Sequence, residues 1–184
     1  MKGISNATRV SRLAIAAVLL AGFFCALAPQ SEAAVPKSGA ISVVVGGADD
    51  FSQKYESTAE SVIVNELLSN GYNIVDQKKR AAMRRDAAAR LALQGDMQAI
   101  MRLGSKYGVS AVITVTLVVG EPEETVGKFK TGTATVNYIA VATNGNYSKA
   151  DSASSRPTAG STAALAAKRS VEAAAKAAAD IMVR

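Results

Sequence analysis

The chain has 184 residues and a formal net charge of +6, from 21 lysines and arginines against 15 aspartates and glutamates. It has no histidine, no tryptophan and one cysteine, which excludes an intrachain disulfide, zinc sites built from cysteine and histidine, and nucleophiles activated by histidine. The positive charge is modest and does not by itself indicate nucleic-acid binding.

Residues 1–34 have the pattern of an export signal peptide. Three basic residues precede an apolar run over 13–28, and residues 29–34 supply a proline and small residues suited to a signal peptidase. The apolar run is shorter than the roughly 20 residues that span a bilayer. We therefore expect a leader cleaved near Ala34, a periplasmic protein, and no stable membrane anchor after cleavage.

The single cysteine, Cys25, lies inside this apolar run. Phe23 and Phe24 precede it, where a lipid-attachment sequence would need a leucine and small residues. We therefore expect Cys25 to be removed with the leader. Residues 35–184 then form a single domain, with 18 lysines and arginines against 14 acidic residues and a net charge of +4.

The first part of this domain alternates strand and helix signals. The β-branched run Ile41–Val45, followed by two glycines, predicts a buried strand. Ser57 and Glu60 have the spacing of a capping box, and apolar residues follow at helical intervals, so a helix is expected over about 55–69. The short segment Tyr72–Asp76 predicts a second strand.

A helical region and a third strand come next. Residues 77–93 are rich in alanine, arginine, methionine and leucine, and a second helical stretch runs from Met97 to Gly108. We expect two helices here, or one kinked helix. Residues 109–119 are mostly β-branched or apolar, and in an extended chain alternate residues would fall on opposite faces of a sheet. This pattern predicts a strand.

The later strands are predicted to be joined by hairpins. A turn over 120–125 and the β-rich segment 126–143 indicate two antiparallel strands. Asn144-Gly145 predicts a hairpin into a further strand that ends near Ala153. Residues 154–160 are expected to form a loop.

A final alanine-rich helix is predicted to open at Ser161 or Thr162. Charged residues four apart follow one side, which is typical of a helix lying on a sheet. The expected apolar stripe comprises Ala164, Ala167, Val171, Ala174, Ala175, Ala178, Ile181 and Met182. The predicted order, β-α-β-α(α)-β-β-β-α, indicates one α/β domain with a mixed sheet and helices packed on it.

Three segments, in their order and spacing, resemble a family of bacterial periplasmic domains. They are Ile41–Val45, Gly71–Asp76 and Gly104–Ile113. In this family a "G-(F/Y)-x-(V/I)-V-D" strand and a "K-x-(L/Y)-G-A-D-A-(V/I)" strand entrance recur. The family includes the curli secretion protein CsgG, the lipoprotein activators of penicillin-binding proteins, flagellar assembly protein T and the amino-terminal domain of TolB. The resemblance covers about 41–183.

The resemblance implies a fold and a process. The fold is that of the TolB amino-terminal domain, which is anticodon-binding-domain-like, and the process is assembly of envelope, flagellar or polymer-secretion machinery. Ser110 stands where the family often has aspartate. Without a lipid-attachment cysteine, and too short for the membrane-inserting hairpins of a secretion channel, the chain is more similar to the flagellar and Tol-type members.

Two acidic or glycine-rich segments invite chemical interpretations. The glycines of segment 46–50, after the first strand, would let backbone amides approach a phosphate. The sequence patterns of nucleotide-binding loops are absent, however, and the two carboxylates of the segment would repel a phosphate. A loop that simply leaves the strand is therefore the favoured interpretation. Carboxylate pairs in 49–50 and 121–124 could act on a glycosidic bond or hold a hard cation. Both lie in predicted turns, where solubilising acids are ordinary, so no cofactor and no metal are expected.

The densest positive stretch, residues 78–90, has six basic side chains spread around the helix. A solvated helix is the favoured interpretation. Arg80 and Arg84 lie one turn apart beside the apolar face, and we identify them as candidate partner-binding residues. No aromatic residues are interleaved with them, which weighs against nucleic acid.

A second candidate surface is a sheet edge containing Tyr138, Tyr147 and the threonine-rich strand 131–137, although ordinary strand residues are the favoured interpretation. We expect a non-catalytic periplasmic binding or assembly module that docks an envelope or secretion-machinery protein and could form a homo-oligomer. The alternatives are a carboxylate-dependent enzyme and a small-ligand or lipid-binding protein of the cell envelope.

Overall fold

Eight strands and six helices make up the part of the chain that the computed structural model describes, residues 34–125 and 129–184. The strands are β1 (Ala40–Gly47), β2 (Asn73–Ile74), β3 (Ala111–Val119), β4 (Glu123–Glu124), β5 (Lys130–Gly132), β6 (Ala134–Ala142), β7 (Ser148–Ser154) and β8 (Thr158–Gly160). The helices are α1 (Asp50–Gln53), α2 (Glu56–Ser69), α3 (Gln77–Arg84), α4 (Ala87–Leu93), α5 (Met97–Tyr107) and α6 (Ala163–Met182).

The main sheet has five strands in the order β2-β1-β3-β6-β7. Strand β1 is parallel to both of its neighbours, whereas β6 is antiparallel to β3 and to β7. Val43 of β1 aligns with Ile113 of β3, which in turn aligns with Ala140 of β6. The mixed sheet arises because helical crossovers connect the early strands and a tight turn connects β6 to β7.

Helices cover both faces of this sheet, which is why β1 is buried from Ile41 to Val45 and is rich in valine. On one face, α2 and α6 bury side chains such as Ile63, Leu67 and Val171 against Val43 and Val45. On the other face, α3, α4 and α5 form a second core around Val44, with Met83, Ala92, Ile100 and Leu103 among its buried members. The predicted single α/β domain with helices packed on a mixed sheet is confirmed.

The helical region after β2 contains three helices, and the prediction of one helix over 77–93 is wrong. Asp76, Asp86 and Asp96 are the N-caps of α3, α4 and α5. The Asp86 carboxylate accepts a hydrogen bond from the Ala88 N–H at 3.0 Å, and this cap separates α3 from α4. Aspartate at an N-cap satisfies amides that the helix itself leaves unpaired.

The capping box predicted at Ser57 and Glu60 is also wrong. Helix α2 begins at Glu56 with Tyr55 at its N-cap, and no side chain caps it. Glu60 is a buried residue of the helix, and its carboxylate binds two arginines of α3. The Glu60 side chain therefore forms ion pairs with another helix instead of capping its own helix.

A second, three-stranded sheet in the order β4-β5-β8 occupies part of the predicted turn and loop. Residues 158–160, expected to be loop, pair with β5, and β5 does not pair with β6 as a simple hairpin would require. Residues 126–128 of the predicted β-rich segment lie outside the described residues. Gly132 and Gly160 face the backbone of Ala166, so this sheet lies directly against the start of α6.

The predicted final helix is confirmed, with Thr162 as its N-cap. The Thr162 hydroxyl accepts from the Leu165 N–H at 3.2 Å. Most of the predicted stripe is buried, but Ala164 is exposed, because the sheet contact begins only at Ala166. No helix within 34–125 and 129–184 is long and apolar enough to cross a membrane. The predicted leader lies outside the described residues and stays a prediction.

Ser52 fastens α1 to the sheet, and its removal should destabilise the domain. Its buried Oγ accepts a hydrogen bond from the Val119 N–H at 2.9 Å. Ser52→Ala leaves that buried amide unpaired, so we expect the free energy of unfolding to fall by about 1–3 kcal/mol in urea denaturation. The control is Ser61→Ala, because the exposed Ser61 hydroxyl only donates to Ser57 O, and its effect should stay within about 0.5 kcal/mol. Equal losses in the two variants would contradict this role.

Candidate functional site

A cavity of about 790 Å³ opens at the carboxyl end of β1. Its walls come from the end of β1, from α1, from the end of α3 through α4, and from Thr116 of β3. Gly46 and Thr116 are aligned in the parallel pair of strands, so the cavity lies at the carboxyl edge of that pair. Ligands of open α/β sheets bind at this edge, because the loops that follow parallel strands converge there.

The glycines beside the cavity do not form a phosphate loop. The Gly47 N–H donates to Glu56 Oε1 at 2.8 Å, and the Ala48 N–H donates to Leu117 O at 2.9 Å. Asp49 caps α1 by accepting from the Ser52 N–H at 2.7 Å, and the Ser52 hydrogen bonds hold the pKa of Asp49 below its usual value. These amides are already committed to the fold, which favours the strand-exit interpretation.

Arg80, the first predicted partner-binding residue, lies largely inside the fold. Its side chain is 13% exposed, and its Nε donates to Glu60 Oε1 at 2.8 Å. One terminal nitrogen also donates to Val75 O at 2.5 Å. Burial lowers the pKa of Arg80, and the nearby Asp76 carboxylate opposes that shift. Arg80 thus links α3 to α2 and to the end of β2.

Arg84, the second predicted partner-binding residue, binds Glu60 and also lines the cavity. One terminal nitrogen binds Glu60 Oε2, and the side chain is 34% exposed. Its Nε is buried without a hydrogen-bond partner among the described residues, and Arg84 lines the cavity. The structure therefore brings both arginines onto one carboxylate, but only Arg84 borders the cavity. Their binding of a partner stays a prediction.

The acidic side chain in the cavity wall, Asp86, is engaged on several sides. Its carboxylate accepts from Lys106 Nζ at 2.5 Å, from the Tyr107 hydroxyl at 3.1 Å and from the Ala88 N–H. The hydrogen bond from Lys106, with the Ala88 amide next, holds the pKa of Asp86 below its usual value. The negative charge of Asp86 is thus balanced by Lys106 and does not leave the cavity acidic.

Three further polar side chains of the cavity wall were not singled out by the sequence. Arg90 lies on α4, Gln94 caps its end, and Gln53 ends α1. Within the described residues no side-chain hydrogen bond or ion pair engages any of them. Arg90 was one of six basic residues in a helical stretch, and composition alone did not distinguish it from the other five.

The predicted carboxylate clusters are not part of the cavity wall. Asp49 is a helix cap, and Glu124 pairs with Lys130 at 3.0 Å in the small sheet. None of the acids at 49–50 and 121–124 lines the cavity wall. The absence of catalysis stays a prediction.

The sheet edge lies one strand further along than the sequence suggested. Strand β6, with most of the predicted threonine-rich edge, is paired on both sides, and Tyr138 is buried. Tyr147 packs against the larger core, and burial raises its pKa to about 12. Strand β7 is the edge instead, and no strand in the described ranges pairs with its outer side.

Solved structures that are similar to this chain include PelC, a lipoprotein and the LpoB C-terminal domain. PelC from Paraburkholderia phytofirmans, solved as a dodecamer of an L103M variant, is similar with a TM-score of 0.50 and 15% identity over 84% of this chain and 96% of that chain. Lipoprotein GNA1162 from Neisseria meningitidis has a TM-score of 0.41 and 17% identity, covering 64% and 83%. The LpoB C-terminal domain from Salmonella enterica has a TM-score of 0.37 and 8% identity, covering 66% and 85%.

The similarity to PelC shows the fold. No protein-family model matches the sequence, and no curated protein is significantly similar to it. The expected fold is therefore found again in a bacterial protein of nearly the same extent. Membership of the CsgG-type family is not confirmed and stays a prediction.

Proposed function

We propose that this protein is a non-catalytic module of the bacterial periplasm that builds envelope, flagellar or polymer-secretion machinery by protein–protein docking. The observation that carries the proposal is the outer edge of β7, with which no strand of residues 34–125 and 129–184 pairs. Its first partner is a second copy of the same chain, which adds a strand to this edge. The engagement of Asp49, Asp86 and Glu124 within the fold supports the non-catalytic part of the proposal.

The hydrogen-bond register of β7 defines which groups face outward. The Ala142 N–H donates to Tyr147 O, and the Ser155 N–H donates to Ala134 O, so alternate residues of β7 face the neighbouring strand. By this alternation the main-chain groups of Ala150 and Ser152 point away from β6. The Ser152 N–H is taken by Asp151 Oδ1 at 2.7 Å, which leaves the Ala150 amide as the central outward donor.

The side chains along this edge allow a second strand to approach closely. Ser148, Ala150, Ser152 and Ser154 are small and exposed. Strand addition draws its affinity from main-chain hydrogen bonds and is favoured where side chains do not hold the strands apart. That PelC, a chain of the same fold, was solved as a dodecamer supports self-association as the mode of assembly.

Ala150→Pro should weaken self-association by about tenfold or more, because it removes the central outward donor and places a ring at the edge. Ala150→Val is the matched control, because it changes the side chain and keeps the N–H. Light scattering after size-exclusion chromatography, over a range of protein concentrations, measures the change.

The fold should survive the proline, since the Ala150 N–H does not bond to β6, and an unchanged urea midpoint checks this. A wild-type protein that is monomeric at every concentration, or equal assembly of the proline and valine variants, would show that the β7 edge is not the assembly surface. Capture of a different envelope protein at this edge would replace the second copy as the occupant.

A further inference from the structure

The cavity at the end of β1 combines a size and a set of polar groups that the fold itself does not use. Its volume of about 790 Å³ lies in the range of small-molecule sites. Gly46 and Gly47 at the end of β1 form part of its wall, and Leu93 and Ala87 supply apolar surface. The space is large enough for a ligand bigger than a bare inorganic ion, and the apolar part of the wall is available to an organic body.

The cationic groups of the wall are incompletely neutralised. Glu60 offers one carboxylate to two guanidiniums, those of Arg80 and Arg84, and the Arg84 Nε remains buried without a partner among the described residues. Arg90, also in the wall, has no ion pair there. Asp86, the acid in the wall, is matched by Lys106 at 2.5 Å. The net charge of the side chains that line the cavity is therefore positive.

Two amide side chains complete the set of donors. Gln53 and Gln94 line the cavity from two different helices, and within the described ranges neither makes a side-chain hydrogen bond. A guanidinium binds carboxylate or phosphate oxygens through paired N–H groups, and neutral amides satisfy the oxygens that remain. The wall thus offers charge, directional donors and apolar surface together.

We propose that this cavity binds a small organic anion through a phosphate or carboxylate group held by Arg84 and Arg90. The apolar wall contacts the body of the ligand. None of the residues that line this site belongs to β7, so different variants test the two proposals.

The test is isothermal titration calorimetry of the purified full chain at constant ionic strength. Glucose 6-phosphate and succinate are the phosphate and carboxylate probes, and glucose is the neutral counterpart of the first. We expect saturable one-site binding of at least one anion and none of glucose. The anion that binds identifies the headgroup, because the two probes share charge but differ in geometry.

Arg90→Gln should weaken the binding of that anion by about tenfold or more, since it removes a charged donor that the fold does not use. Arg85→Gln is the matched control: Arg85 is exposed, carries the same charge in the same segment and is not in the cavity wall. Its effect should stay below about twofold, as expected for a screened surface charge.

Ala87→Leu is a second variant that fills the cavity mouth and changes no charge, and it should also abolish binding. Unchanged thermal unfolding of the three unliganded variants shows that each still folds. The proposal is overturned if no anion binds at concentrations up to about 10 mM, if Arg90→Gln and Arg85→Gln weaken binding equally, or if Ala87→Leu leaves it intact.

Discussion

Replacing Glu60 with alanine should lower the free energy of unfolding by about 3 kcal/mol, because it leaves two guanidiniums without their shared counter-charge in a mostly buried site. Glu60 and Arg80 are 11% and 13% exposed, and Arg80 has no freedom to turn into solvent while it donates to Val75 O. The value is at the lower end for a broken buried pair, since Arg84 is 34% exposed and water screens its charge. Urea denaturation at neutral pH measures the loss.

The matched control for this prediction is Glu66→Ala on the same helix. Glu66 pairs with Lys176 at 3.2 Å, but the lysine side chain is 61% exposed. An exposed pair of this kind contributes less than about 1 kcal/mol. If the Glu60 and Glu66 variants lost equal stability, the arginine pair would have to be treated as a solvated surface feature, and Arg80 would again be available to a partner.

Gly160→Ala should destabilise the domain by about 3 kcal/mol, the upper end of the usual range for overpacking. A Cβ at this position would meet the backbone of Ala166, lying 2.9 Å from its Cα and closer still to its nitrogen. Backbone atoms of a helix cannot rotate aside as a side chain can, so α6 would have to move away from β8. The measurement is the free energy of unfolding in urea, together with the melting temperature.

Gly46→Ala provides the control for the glycine prediction. Its added Cβ would approach only the end of the Leu93 side chain, at 2.7 Å, and that side chain can rotate. We expect a loss of about 1 kcal/mol or less. A Gly160→Ala variant as stable as Gly46→Ala would mean that the small sheet is not fixed against the helix.

Much of the architecture was predictable because it rests on local periodicity. The apolar run at β1, the strand at 111–119 and the final helix all carry patterns that packing on a two-faced sheet requires. The helix caps at Asp76, Asp86 and Asp96 were also readable in principle, since an aspartate before a helix-forming run is a start signal.

Apart from the break at Asp86, the features that were missed depend on tertiary contacts. Strands β4, β5 and β8 have two or three residues each. Segments this short do not show the alternation of apolar and polar residues from which a strand is predicted. Arg80 and Arg84 bind Glu60 of another helix, from which they are 20 and 24 residues away in the sequence. Sequence spacing predicts contacts within one helix and could not predict these ion pairs. The cavity was missed for the same reason, because Arg84 and Gln53 meet only after β1 and the helices have packed.

The arrangement of the larger core also determines when the chain can acquire its structure. Val171, Ala175 and Met182 of α6 fill this core together with Ile63 and Leu67 of α2. When the chain is synthesised from its amino terminus, all the strands of the main sheet are made before these residues of α6. Before α6 is available, the part of the sheet face that α6 covers has no partner in the fold, so the larger core can be completed only after the strands and α6 are all present.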